Sequence, residues 1–267
     1  MAISEHVSGF AQAVGWRSAL NVFARRALKI GAPVQVRSGR HTFTVRPRDS
    51  DLFVASQIFG HFDYDLGVVT GALNRLAMAW CEDGHVPVII DGGGNVGYSA
   101  LYFAATFPDA IVVAVEADAE TFAQLVQNCR GESRIIPVHA ALWSHERGVD
   151  LRSSGSNGSW GIRVAGGDGL TPSRLLSSVI ELVPGGRPLI IKLDIEGAEL
   201  EVCGAAKAVL ATAPCILIEP HDFMLPGAGC LQTLYAAVAG RKVDTLLKGE
   251  NLVIFDSTLA GASHNRE

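Results

Sequence analysis

From Val88 onward, short apolar runs alternate with stretches of helical period, and this alternation restricts the fold more than any other feature of the chain. The runs are Val88–Ile90, Ile111–Val115, Ile135–Val138, Leu189–Ile195 and Ile216–Ile218. Each is apolar at consecutive positions, so both faces of each strand need cover, and strands separated by helices pair in parallel. Between them, Ala119–Cys129 carries a helical stripe of Phe122, Leu125, Val126 and Cys129, and Ala198–Leu210 opens with Glu199 and Glu201, acids suited to a helix start. The alternation stops at Val243–Leu247 and Leu252–Phe255, which only Lys248-Gly249-Glu250-Asn251 separates, as in an antiparallel hairpin closing the sheet. The expected fold class is α/β, a mostly parallel sheet with helices on both faces.

Residues 1–84 are expected as a helical and hairpin extension that caps or lids residues 85–259, with 260–267 a flexible tail. The extension holds helical stretches at Trp16–Ile30, Leu52–Phe59 and Leu66–Trp80 and a hairpin turning at Ser38-Gly39-Arg40. A Gly/Ser-rich stretch, Ser153 to Gly161 with Trp160 in it, reads as a mobile active-site loop, the alternative being a solvated hairpin turn. With 48% hydrophobic residues in 267, the chain can bury a large core. The net charge of −5 and the lack of a basic block disfavour a nucleic-acid partner. Without an apolar run of roughly 20 residues or a leader-like start, no membrane span is expected. Five widely spaced cysteines among apolar neighbours read as reduced core thiols, and the expected location is cytoplasmic.

The segment Asp91-Gly92-Gly93-Gly94-Asn95-Val96-Gly97 joins the first of these runs to a helix-like stretch, where glycines let a ligand approach the backbone and free helix N–H groups. Gly92, Gly94 and Gly97 satisfy G-x-G-x-x-G, and Glu116 follows Gly97 by 19 residues, as in a dinucleotide site of an NAD-dependent oxidoreductase. The same residues also read as D-x-G-x-N-x-G through Asp91, Gly93, Asn95 and Gly97. An acid before the loop opposes a pyrophosphate but suits S-adenosylmethionine, which carries an ammonium and a sulfonium and no phosphate. Glu116 serves either ligand by accepting ribose hydroxyl protons. A non-catalytic binding module of the same fold is the third reading.

A second stretch, Lys192-Leu193-Asp194-Ile195-Glu196-Gly197-Ala198-Glu199, places Lys192, Asp194 and Glu196 on one face of a strand by alternation. Three ionised groups there must sit over a cleft or pair, Lys192 with Asp194 or Glu196. Taken together, D-x-G-x-N-x-G at Asp91–Gly97, V-E at Val115-Glu116, K-x-D-x-E-G-x-E at Lys192–Glu199 and I-E-P-H at Ile218–His221 resemble the FkbM family of S-adenosylmethionine-dependent methyltransferases. The lead-in Val45–Phe53, Gln57-Ile58-Phe59 and Tyr64 is similar as well, so the likeness runs from about Val45 to Phe255. Gly93-Gly94 and Ala117-Asp118 depart from the family's usual Gly-Ala and Glu-Pro.

The resemblance implies a Rossmann-like class I methyltransferase fold of about seven strands, the last antiparallel. It also implies O-methylation of a small-molecule or glycan acceptor and further cofactor contacts at Ala117, His139 and Ala140. Asp194 is expected near the cofactor's methionine end and in catalysis, with Glu196 or Glu199 fixing loops. An alcohol acceptor needs a general base, and His221, after the fifth strand and beside Glu219, is the preferred one, with His139 next. Asp194, Glu219, His221 and Asp222 also permit a divalent metal, which the reading does not require. The oligomeric state stays open.

Overall fold

The computed structural model describes residues 3–153, 162–222, 227 and 229–261. The chain opens with helices α1 (Ile3–Val14) and α2 (Trp16–Ala27), the hairpin β1 (Val34–Ser38) and β2 (His41–Val45), then α3 (Asp51–Ala55), a π-helical turn Ser56–Gly60, and α4 (Val68–Glu82). The alternating region follows as β3 (Val86–Gly92), α5 (Tyr98–Thr106), β4 (Ile111–Glu116), α6 (Ala119–Cys129) and β5 (Ile135–His139). Short strands β6 (Ala141–Leu142), β7 (Val149–Ser153), β8 (Ile162–Thr171) and β9 (Ser173–Arg174) lead to α7 (Leu176–Ile180). The chain continues with β10 (Gly186–Leu193), α8 (Glu199–Ala205), α9 (Lys207–Leu210), β11 (Cys215–Ile218) and α10 (Cys230–Val238). It closes with β12 (Val243–Lys248), β13 (Asn251–Asp256) and α11 (Ser257–Gly261).

One seven-stranded sheet runs β12-β13-β11-β10-β3-β4-β5, with β13 antiparallel to both neighbours and the other pairings parallel. The apolar runs account for this order, because alternate residues of each strand feed opposite faces. Ile89, Val112, Ala114, Ile190 and Leu217 enter one core cluster, and Val88, Ile90, Val113, Ile191 and Ile218 the other. The first cluster also takes Phe10, Phe43, Leu52 and Tyr64, so residues before β3 share a core with the sheet. Polar ties reinforce that packing: Tyr98 Oη donates to Thr44 O at 2.6 Å, and Asn128 Oδ1 accepts from Thr44 N at 2.9 Å. The guanidinium of Arg187 stacks 4.0 Å from the Trp80 ring centroid. At the far end, Gln57 Nε2 donates to Glu250 Oε2 in the β12–β13 turn at 3.2 Å.

Several elements differ from the sequence expectation for identifiable reasons. The helix expected to reach Ile30 stops at Ala27, because Lys29 takes φ 56° and Ile30 N turns back to Arg25 O at 2.8 Å. The single helix expected over Ala198–Leu210 is two, broken at Ala206 with φ −98° and ψ 18°. The run Leu189–Ile195 is a strand only to Leu193. The Gly/Ser stretch joins β7 and β8, which pair antiparallel up to Ser153↔Ile162, while residues 154–161, Trp160 among them, lie outside the described residues. No disulfide forms; four cysteines are buried and Cys81, expected in the core, is exposed.

Candidate active site

The segment after β3 turns sharply into α5, and its glycines answer to protein atoms. Gly93 has φ 74°, and a Cβ on it would stand 1.8 Å from the carbonyl oxygen of Asp194; Gly97, at φ 86°, would meet Cys129 Sγ at 2.7 Å. The amides are equally committed. Gly93 N and Gly94 N donate to Val115 O at 3.0 and 2.9 Å, Gly97 N to Gly94 O at 2.8 Å, and Asn95 N to Glu116 Oε2 at 2.9 Å. The sequence expectation concerned the free N–H groups of the helix that follows; the four loop amides themselves are spent on holding β3, β4 and the turn together. A dinucleotide pyrophosphate needs such amides free.

Asp91 is fully buried at the end of β3. Ser99 Oγ donates to its Oδ2 at 2.6 Å and Lys192 Nζ lies 3.2 Å from its Oδ1. Lys192, itself buried on β10, also donates to Gly93 O at 2.7 Å and Gly92 O at 3.2 Å and stands 3.5 Å from Asp194 Oδ2. Burial works against its charge, but the Tyr64, Asp91 and Asp194 groups around it outweigh that and raise its pKa. Burial pushes Asp91 up while Lys192 pulls it down. The pairing of Lys192 with Asp194 is one of the arrangements expected from alternation. Glu196 departs from it: the strand has ended, its φ is 54°, and it faces His221 rather than Lys192.

His221 follows β11 and is almost entirely enclosed, its side chain 2% exposed. Nδ1 is 2.8 Å from Oε1 of Glu199, a fully buried acid in the first turn of α8. Nε2 faces Glu219 at 3.5 Å and Glu196 at 3.9 Å. Burial alone would depress the imidazole, but hydrogen bonds to Glu199 and Glu219 overcome it and lift the pKa to about 11. These bonds favour the imidazolium form of His221, the residue expected as the general base, and that form donates a proton rather than accepting one. The acids around it are more accessible, with side-chain exposure of 27% at Asp194, 26% at Glu196 and 27% at Glu219. Burial and the neighbouring Asp194 raise Glu196 to about 7 and raise Glu219 as well.

Glu116 closes the other side. Its carboxylate accepts Asn95 N at 2.9 Å and Asp118 N at 2.8 Å, yet burial dominates and lifts its pKa to about 7. Ala117 O is 3.1 Å from Nε2 of His139, whose ring stacks on Phe122 with centroids 4.9 Å apart, and Ala140 N donates to Glu116 O at 3.0 Å. Since Glu116 binds its proton more tightly folded than unfolded, its contribution to stability is present below pH about 4.5 and lost as pH rises through about 7. Melting temperature of the ligand-free protein should therefore decline over that window, and Glu116→Gln should flatten the decline; a parallel decline in the variant would move the effect elsewhere.

The structure thus brings the expected residues to one edge, the carboxyl ends of β10, β3, β4, β5 and β11. Asp91, Lys192 and Asp194 form one cluster, Asn95 and Glu116 a second, and His221 with Glu196, Glu199 and Glu219 a third. Asn95 Oδ1 is buried without a hydrogen-bond partner. Among the described residues here, Asp91, Asp194, Glu196, Glu199 and Glu219 face Lys192 or His221, and Glu116 adds a further carboxylate that accepts Asn95 N. This edge fits a ligand that is cationic, hydroxyl-bearing and free of phosphate. Ligand atoms of Asp194, Glu219 and His221 also lie within 4.8 Å of one another, a donor set for a divalent cation. Sequence reasoning missed the contact of Glu199 with His221 and those of Lys192 with Asp91 and the Gly92 and Gly93 carbonyls, whose partners are distant in the chain.

Residues 91–248 match the Methyltransferase FkbM domain. Hexuronic acid methyltransferase AglP of Haloferax volcanii is 27% identical over 173 residues, 62% of this chain and 69% of that protein. Among solved structures, fibrillarin of Aeropyrum pernix with natively bound S-adenosyl-L-methionine aligns at TM-score 0.39 and 13% identity, over 64% of this chain and 66% of that one. The TYW2 protein of M. jannaschii in complex with AdoMet aligns at TM-score 0.41 and 10% identity over 84% of each chain.

Proposed function

The chain belongs to the FkbM methyltransferase family, with S-adenosyl-L-methionine as its cofactor, and we propose that it methylates a hydroxyl of a sugar or glycan. The observation carrying the proposal is the acid-rich sheet edge whose loop amides are already bonded internally. That edge favours the cationic donor over a nicotinamide dinucleotide. The sugar acceptor takes its support from the likeness to a hexuronic acid methyltransferase.

When bound, the donor supplies a methyl group on a positively charged sulfur, and the protein's work is to align an acceptor oxygen and take its proton. In this reading Glu116, with Asn95 and the His139 and Ala140 segment, holds the adenosine end, and Asp194 faces the methionine end. Asp91 acts from behind, fixing Lys192 and through it the Gly92 and Gly93 carbonyls. His221 holds Glu196 and Glu219 in place, and Glu196, a quarter exposed and with its pKa near 7, accepts the hydroxyl proton. Residues preceding β3 cap this edge, Tyr64 among them.

Glu196→Gln should lower turnover of a glucuronoside acceptor by roughly 10²-fold, the usual yield of general-base catalysis. S-adenosylhomocysteine affinity, read by calorimetry, should stay the same; a fully active variant removes Glu196 from the reaction. The donor set of Asp194, Glu219 and His221 supports a second reading, in which a divalent cation lowers the hydroxyl's pKa and Glu199 orients His221 from behind. Turnover that survives chelation selects the first reading, and turnover restored only by added Mg²⁺ or Mn²⁺ selects the second.

A further inference from the structure

The cationic residues are gathered at one end of the sequence without forming a run. Residues 1–48 hold eight of the 22 Lys and Arg and one of the 27 acids, Glu5, a net of +7 that leaves −12 on the remainder. Helix α2 lies in this segment. It turns Ala19 and Val22 into the core and leaves Trp16 62%, Leu20 61% and Leu28 71% exposed. At 3.6 residues per turn, Trp16, Leu20, Ala24, Ala27 and Leu28 share an arc of roughly 120°, with Arg17 inside it and Arg25 beyond its margin.

The turn after α2 extends the same surface. Ile30 is exposed there, and a Cβ on Gly31 would lie 3.8 Å from Arg48 Cδ, which places that cation beside the helix end. Arg26 holds the arrangement by donating to Pro47 O and Asp49 O, both at 2.9 Å. Among the described residues, Arg17, Arg25, Lys29 and Arg48 enter no ion pair.

We propose that this face docks on an anionic lipid surface, with α2 lying in the plane of the interface. Leu20, Leu28 and Ile30 enter the acyl boundary, Trp16 sits at headgroup depth, and the unpaired cations meet lipid phosphates. A nucleic acid would engage the cations but leave the aliphatic side chains in water. A two-fold contact with a second copy would set the positive segment against itself. No helix among the described residues is long and apolar enough to cross a membrane, so the contact is with the surface alone.

Co-sedimentation of the full chain with phosphatidylcholine vesicles, with and without phosphatidylglycerol, tests this. Retention should be at least tenfold greater on the phosphatidylglycerol vesicles and should fall with added salt. Trp16→Ser with Leu20→Ser, and separately Arg17→Glu with Lys29→Glu, should each reduce it roughly tenfold while leaving the melting temperature in place. The proposal is overturned if phosphatidylglycerol vesicles retain nothing at low ionic strength, or if retention ignores both double variants. It is also overturned if the substitutions instead abolish self-association or oligonucleotide binding in a protein that vesicles do not retain.

Discussion

Gly93→Ala should abolish measurable S-adenosylhomocysteine binding and lower the melting temperature by about 10 °C. An alanine at φ 74° costs on the order of 1–2 kcal/mol by itself. The larger cost is steric, because the new methyl would fall 1.8 Å from Asp194 O, a backbone atom that cannot move without displacing the end of β10. A total of about 3 kcal/mol corresponds to roughly 10 °C in a chain of this size. The displacement also carries Asp194 away from the edge, so binding should suffer more than stability. Calorimetry and thermal denaturation read the two effects separately. A variant that binds normally would show that the turn can relax, and the close approach of β3 to β10 would then have no bearing on the donor.

Lys192→Met should cost about 3–5 kcal/mol, the typical penalty for leaving one member of a buried ion pair behind. Asp91 would remain fully buried, with Ser99 Oγ as its hydrogen-bond donor; the Gly93 carbonyl would lose the lysine donor and the Gly92 carbonyl would keep Asp194 N at 3.2 Å. The pH dependence gives this prediction a second readout. With its cation gone, Asp91 binds its proton more tightly in the folded than in the unfolded state. The variant should thus be most stable below the ordinary carboxylate range and lose stability as pH rises. Adding Asp91→Asn should recover part of the loss, and denaturant titrations of the four proteins give the coupling directly. Independent, additive losses would dissolve the pair as an energetic unit.

The sheet was legible because buried strands write themselves into sequence as apolar runs, and the run at Ile111–Val115 and the hairpin after Val243 reappear almost residue for residue. Legibility fades where the chain leaves the strands. Alternation assigned Lys192, Asp194 and Glu196 to one face, but it assumes a strand that continues, and this one ends at Leu193 with Glu196 in a left-handed turn. Candidate site residues were legible as residue types at strand ends. Their partners were not: Glu199 is 22 positions from His221, and Gly93 is 99 from Lys192. That pairing decides whether His221 is a base or a cation. The basic segment stayed hidden for a related reason, since its charges are interspersed along a helix, one strand and the turns around them and converge only on folding.

The placement of β13 between β11 and β12 bears on how the protein is made. A ribosome delivers β12 first, yet β12 touches the sheet only through β13. Until that later segment emerges, the Cys215–Ile218 strand presents unpaired backbone groups along an aliphatic rim, the kind of template on which nascent chains aggregate. Sequences that slow elongation just upstream of Asn251 should therefore depress soluble yield more than equal delays placed elsewhere.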